Sequence, residues 1–150
     1  MSGTQVRRAT RADRPALTGL IRAYLEFYKA RQPEENALEA FIDRVEADPQ
    51  RGAYLVAEQD GRMVGFAGLY GTFDTLLAAE ILVMNDLFVD ERYRRHGVGQ
   101  ALFDASRRYA RDHGYVRLDW VTAKENRVAR RFYDRNGGVA GPWIAYSIKP

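Results

Sequence analysis

Cysteine is absent from the 150 residues, which excludes structural disulfides, thiolate metal sites and a cysteine nucleophile and agrees with a reducing compartment. Histidine is scarce. His96 and His113 are the only two, neither has a second ligand at metal-binding spacing, and no metal is expected. No apolar run approaches the roughly 18 residues of a membrane span, and the stretch Met1 to Arg7 lacks the apolar core of a signal peptide. A soluble, cytoplasmic protein with no membrane partner is therefore expected. A Gly-Lys-Ser/Thr phosphate loop, a nucleophile motif around Ser106 or Ser147, an internal repeat and a low-complexity linker are all missing as well. The length suits one domain, residues 1–150, large enough to bury a core, with only the extreme N-terminus expected to be loose.

Charge is present in quantity and unevenly placed. Residues 1–90 carry 10 Lys/Arg against 14 Asp/Glu, whereas residues 91–135 carry 12 against 6. The basic half surrounds a glycine turn and shows no nucleic-acid-binding motif, which favours a small anionic ligand over nucleic acid. The acidic half suits a cationic partner, with ordinary surface solvation as the alternative.

The hydrophobic pattern reads as an α/β chain. Gln5 to Ala9 is an expected strand, followed by caps at Thr10 and Asp13 and an amphipathic helix whose apolar face is Leu17, Leu20, Ile21, Tyr24, Leu25, Phe27 and Tyr28. The aromatic end of that helix, Tyr24, Phe27 and Tyr28, exceeds what packing demands and is a candidate substrate-pocket lining, core packing being the alternative. Glu34 to Glu46 is a second helix. Two apolar runs, Tyr54–Glu58 and Met63–Tyr70, flank Asp60-Gly61 and predict a tight hairpin, and Glu80–Val89 a third long strand. Then come a helix at Val98–His113, a strand at Tyr115–Val121, a helix at Asn126–Arg135 and a closing strand at Trp143–Ile148.

The most telling stretch runs from Leu87 to Leu102, where an apolar strand enters a basic, glycine-spaced turn and then a helix. Such a turn binds phosphate, because glycines admit an anion to the backbone and a helix N-terminus presents unpaired N–H groups. A dinucleotide fingerprint fails here: Leu102 occupies the third small-residue position, and seven residues separate Val89 from Gly97.

Arg94-x-x-Gly97-x-Gly99 between strand and helix instead resembles the acetyl-CoA pyrophosphate loop of the GNAT (Gcn5-related N-acetyltransferase) superfamily. The likeness extends to Val6-Arg7-x-Ala9-Thr10-x-x-Asp13, to the hairpin, to Asn85-Asp86-Leu87-Phe88-Val89 and to Asn126-x-x-Ala129-x-x-Phe132-Tyr133-x-x-x-Gly137. It implies a splayed, mostly antiparallel sheet of about seven strands with about four helices, acetyl-CoA as cosubstrate, and a homodimer. By the same resemblance, the backbone of Leu87, Phe88 and Val89 pairs with pantetheine. Arg94 and the amides of Arg95, His96, Gly97, Val98, Gly99 and Gln100 hold the pyrophosphate, and Asn126 and Ala129 contact the cosubstrate's other side.

Acetyl transfer to an amine needs a neutral amine and a proton for the departing thiolate. Tyr133 stands where many family members place the acid. A phenol with pKa near 10 lies only about 2 kcal/mol above a thiol near 8.5, so a positioned Tyr can serve. Asp86 and Glu80 are the candidate bases, and strict alternation puts both on one face with Phe88, opposite Asn85, Leu87 and Val89, unless a bulge intervenes. The nearest subgroups are the diamine and histone types, and Asn85-Asp86 resembles the subgroup that contains histone and free amino-acid acetyltransferases. Diamine-type enzymes have Glu-Asp where this chain has Asn85-Asp86, and an acid before the tryptophan matching Trp143, where this chain has Gly141-Pro142. Asn85 and Gly141-Pro142 are accordingly the departures at amine-facing positions, and Asn85 and Trp143 are expected to face the substrate. The expected activity is N-acetylation of a small-molecule primary amine; the alternatives are a protein or histone lysine acetyltransferase and a non-catalytic acyl-CoA-binding regulatory module.

Overall fold

The computed structural model describes residues 3–150, so Met1 and Ser2, where the loose N-terminus was expected to begin, lie outside it. It divides into two compact units, one ending at Trp120 and one running Val121–Pro150.

The first unit is built on one five-stranded sheet, order β1-β2-β3-β4-β5: β1 Gln5–Arg8, β2 Gly52–Gln59, β3 Arg62–Asp74, β4 Ala79–Val89 and β5 Leu118–Asp119. The first four strands are antiparallel neighbours and β5 joins β4 in parallel. Asp60 and Gly61 turn β2 into β3 with φ of 52° and 73°, the paired left-handed geometry that suits a two-residue hairpin. Helices α1 (Arg14–Phe27) and α2 (Glu35–Glu46) lie on one face, where Leu17, Ile21 and Ile42 pack with Val56, Phe66 and Phe88. Helix α3 (Val98–Asp112) covers the other face. A Cβ built on Gly65 would meet Leu102 and Val98 of α3, while its neighbour Phe66 belongs to the α1 and α2 side. This is period-two alternation across a sheet buried on both faces.

The second unit holds α4 (Arg127–Arg135) and a tail without regular secondary structure. Asn126 caps α4, its Oδ1 accepting from the Ala129 amide at 3.1 Å.

Two strand expectations are corrected. The segment Tyr115–Val121 pairs only at Leu118 and Asp119, and Trp143–Ile148 forms no strand, so the sheet has five strands and not about seven. Ile144, Tyr146 and Ile148 keep the alternating pattern but are at least 71% exposed; alternation makes a strand only where a neighbouring edge accepts its backbone. In β4 the bulge that strict alternation excepted is present. Gly68 faces Asp86 and Leu69 faces Met84, which leaves Asn85 as an extra residue without a partner on β3. This bulge breaks the alternation. Asp86 and Phe88 turn toward α1, while Glu80, opposite Phe73 beyond the bulge, falls on the other face, so Glu80 and Asp86 do not share a side.

Candidate functional site

Asp86 sits at the bulge, buried to 8% exposure. Its carboxylate accepts from the Tyr70 hydroxyl at 3.1 Å and from Asn85 Nδ2 at 3.0 Å, and Tyr24 is a third donor. Burial raises the pKa of Asp86 above the ordinary carboxylate value, and the Tyr24, Tyr70 and Asn85 hydrogen bonds oppose that rise. Burial also pushes the Tyr70 hydroxyl up, with the Asp86 charge as the next cause, and Tyr54, whose hydroxyl lies 3.4 Å from that of Tyr70, is pushed up to about 12. Both phenols therefore remain protonated donors. The geometry depends on Gly68, because a Cβ there would lie 2.2 Å from Asp86 Oδ2.

These groups form one end of a cavity of about 430 Å³. Ile21, Leu25, Leu38, Phe41 and Phe66 supply its apolar wall, Tyr24, Tyr54, Tyr70, Asn85 and Asp86 its polar end, and Arg31 the only cationic lining residue. Of the residues expected to face substrate, Tyr24 and Asn85 line this cavity. Phe27 and Tyr28 lie beside it, 54% and 56% exposed, stacked edge to face with each other at 5.1 Å, and Tyr28 packs on Tyr24 at 5.0 Å. Trp143 belongs to the second unit and is 82% exposed. Tyr54, Tyr70 and Arg31 were not anticipated. A count of two from Phe66 through Gly68 would have put Tyr70 on the cavity face, whereas Arg31 carried no signal.

Beyond the bulge, β4 presents an open edge: β5 pairs with it only at Leu82 and Val83, leaving the side of Leu87, Phe88 and Val89 away from β3 without a strand among the described residues. The Val89 carbonyl is taken by Arg94, whose Nε donates to it at 3.0 Å while the guanidinium rests 5.1 Å from the Phe27 ring centre and 5.6 Å from that of Phe88. Arg94 thus ties the strand end to the aromatic step.

The chain then reverses through Arg95 (φ 65°) and Gly97 (φ 81°), and α3 begins at Val98. Two left-handed residues so close together turn successive amides inward as an anion nest. Among the described residues, the amides of Arg95, His96, Gly97, Val98 and Gly99 donate no hydrogen bond, and the N-terminus of α3 has no side-chain cap. The nest and the open strand edge fit a ligand with a phosphate group and an amide-bearing arm. In the second unit, Tyr133 lies half-buried on α4 with its ring 5.4 Å from that of Phe132. Among the described residues no group of three or more His, Asp or Glu could hold a metal ion, and no helix is long and apolar enough to cross a membrane.

A family model, the acetyltransferase (GNAT) family, matches residues 17–138. The chain is similar to the uncharacterized N-acetyltransferase YhfO of Bacillus subtilis, 35% identical over 88% of this chain and 87% of that one. It is also similar to the D-amino-acid N-acetyltransferase HPA3 of Saccharomyces cerevisiae, 30% identical over 82% of this chain and 77% of that one. In fold it resembles AAC(6')-Iy, solved with the bisubstrate analogue CoA-S-monomethyl-acetylneamine, at a TM-score of 0.85 with 18% identity over 99% of both chains.

Proposed function

The chain belongs to the acetyltransferase (GNAT) family and is an acetyl-CoA-dependent N-acetyltransferase, and from that premise we propose that its acceptor is the primary amine of a small molecule held in the cavity at Asp86. The observation that carries this reading is the cavity itself, a pocket of about 430 Å³ whose polar end holds one buried carboxylate. That volume lies in the range of small-molecule sites. The similarity to an enzyme named for D-amino acids supports a small acceptor over a protein.

When bound, acetyl-CoA supplies an acetyl group already activated as a thioester. Leu87, Phe88 and Val89 hold its pantetheine arm, Arg94 keeps the strand end in place, and the amides of Arg95, His96, Gly97, Val98, Gly99 and Gln100 hold its pyrophosphate; Asn126 and Ala129 serve its other side. Asp86 attracts the ammonium form of the acceptor, and its raised pKa makes it a better proton acceptor than an exposed carboxylate. Tyr24 and Tyr70 fix that carboxylate, and Asn85 presents an amide at the cavity where a second carboxylate would add charge. Tyr133 is the proton donor.

A cytoplasmic homodimer completes the proposal. The exposed apolar positions Ile144, Tyr146 and Ile148 are suited to pairing with a second copy.

The test is free-thiol release from acetyl-CoA across amines, amino acids, polyamines, aminoglycosides and lysine peptides. Turnover with free small amines is expected to exceed turnover with peptides; preference for the peptides would replace this reading with protein acetylation.

A further inference from the structure

The residues lining the cavity carry two formal charges, the buried Asp86 and Arg31. Arg31 makes no ion pair or hydrogen bond among the described residues, although its surroundings are firmly held. Helix α1 ends in a reversal in which the Ala30 amide donates to Leu25 O at 2.9 Å and the Lys29 amide to Glu26 O at 3.0 Å. Lys29 occupies the left-handed position with φ 54°, a place usually given to glycine. Past Arg31, Arg22 binds Gln32 Oε1 at 3.1 Å, Pro33 O at 3.1 Å and Glu35 at 2.8 Å, and Gln32 Nε2 returns a bond to Arg22 O at 3.0 Å. The segment is pinned on both sides of Arg31, and both terminal nitrogens of Arg22 are engaged in these bonds. What remains is an exposed, unengaged guanidinium lining a cavity whose other charge is a buried acid.

We propose that Arg31 receives a carboxylate of the acceptor, making the substrate class amino-carboxylates with an apolar body. This rests on the small-molecule reading above. The ammonium goes to Asp86 and the carboxylate to Arg31, whose planar fork matches a carboxylate in two parallel hydrogen bonds. Ile21, Leu25, Leu38, Phe41 and Phe66 take the body between them. The same two charges disfavour polyamines and aminoglycosides: a second ammonium meets Arg31 and finds no second acid in the lining.

The experiment compares matched pairs in the thiol-release assay, both enantiomers of leucine against isopentylamine and of phenylalanine against phenethylamine, with cadaverine as the dication. The wild-type protein is expected to show kcat/KM about tenfold or more higher for the amino acid of a pair, the scale of a charge-assisted contact. Arg31→Gln is expected to erase that preference and Arg31→Lys to restore part of it, with unchanged melting curves. A wild-type preference for the decarboxylated amines or cadaverine, or a carboxylate preference that survives Arg31→Gln, overturns the assignment while leaving small-amine acetylation standing. Thiol release with lysine peptides and with none of these compounds overturns both.

Discussion

Replacing Gly68 with alanine tests whether the place of Asp86, and not merely its charge, matters. The added methyl would lie 2.2 Å from Asp86 Oδ2, 3.2 Å from its Cγ and 3.2 Å from Tyr54 Cε1. Ordinary contact begins near 3.4 Å, so the carboxylate must retreat by about 1 Å. Tyr70 holds that same oxygen at 3.1 Å, and a retreat of this size breaks the bond. Loss of a hydrogen bond to a charged group costs about 1.5–3 kcal/mol, which corresponds to roughly 3–12 °C in Tm for a chain of this size. Misplacing a reacting group by about 1 Å costs about 100-fold in rate. Gly68→Ala is therefore expected to lower kcat/KM about 100-fold in the thiol-release assay, to melt cooperatively at a lower temperature, and to bind acetyl-CoA in calorimetry as the wild type does. A variant that folds and turns over at the wild-type rate would refute the claim that Asp86 acts from this position.

Asp86→Asn is expected to remove activity and, at alkaline pH, to raise stability. Burial lifts the folded pKa of Asp86 above its unfolded value, so the native state holds the extra proton, and the contribution to stability is full at low pH and declines as pH rises through the folded pKa. The variant should melt above the wild type at pH 8 and converge with it near about pH 4; a gap that widened toward acid would reverse the sign and sink the argument. Tyr133→Phe should lower kcat far more than acetyl-CoA affinity, as for a group acting in the transition state, and an equal loss of both would make Tyr133 a binding residue. Gly97→Ala forces a side chain onto a residue at φ 81°, a cost of about 1–2 kcal/mol. Calorimetry should show acetyl-CoA affinity down about tenfold, and unchanged affinity would dissociate the nest from the pyrophosphate.

Local chemistry was legible in the chain, and whatever depended on register was not. Asp60-Gly61 announced its hairpin, and the glycine-spaced basic turn announced the start of α3, because turn type and helix entry are set by residues adjacent in sequence. The bulge at Asn85 is set by how β4 meets β3, and alternation along one strand placed Glu80 beside Asp86 when they point to opposite faces. The chain of Tyr54 to Tyr70 to Asp86 joins three strands, so alternation along β3 gives the face of Tyr70 but not its partners. Arg31 escaped notice because the reversal that presents it is made by Lys29, without the glycine that marks such turns. Trp143–Ile148 has a strand's composition, yet it pairs with no strand, because composition does not supply a partner.

Ten of the eleven residues of β4 have a counterpart on β3, and Asn85 is the exception. A change at any of the ten must be absorbed by the residue opposite. At Asn85 no such negotiation arises, yet its side chain faces the cavity and touches the carboxylate there. On the proposed binding of the acceptor at Asp86, exchanging this neutral amide for an acid is expected to alter acceptor preference in a single step while the pairing of β4 with β3 is kept. If acceptor choice resides at Asn85, it is uncoupled there from strand pairing, and divergence among relatives is expected to concentrate at this position of β4.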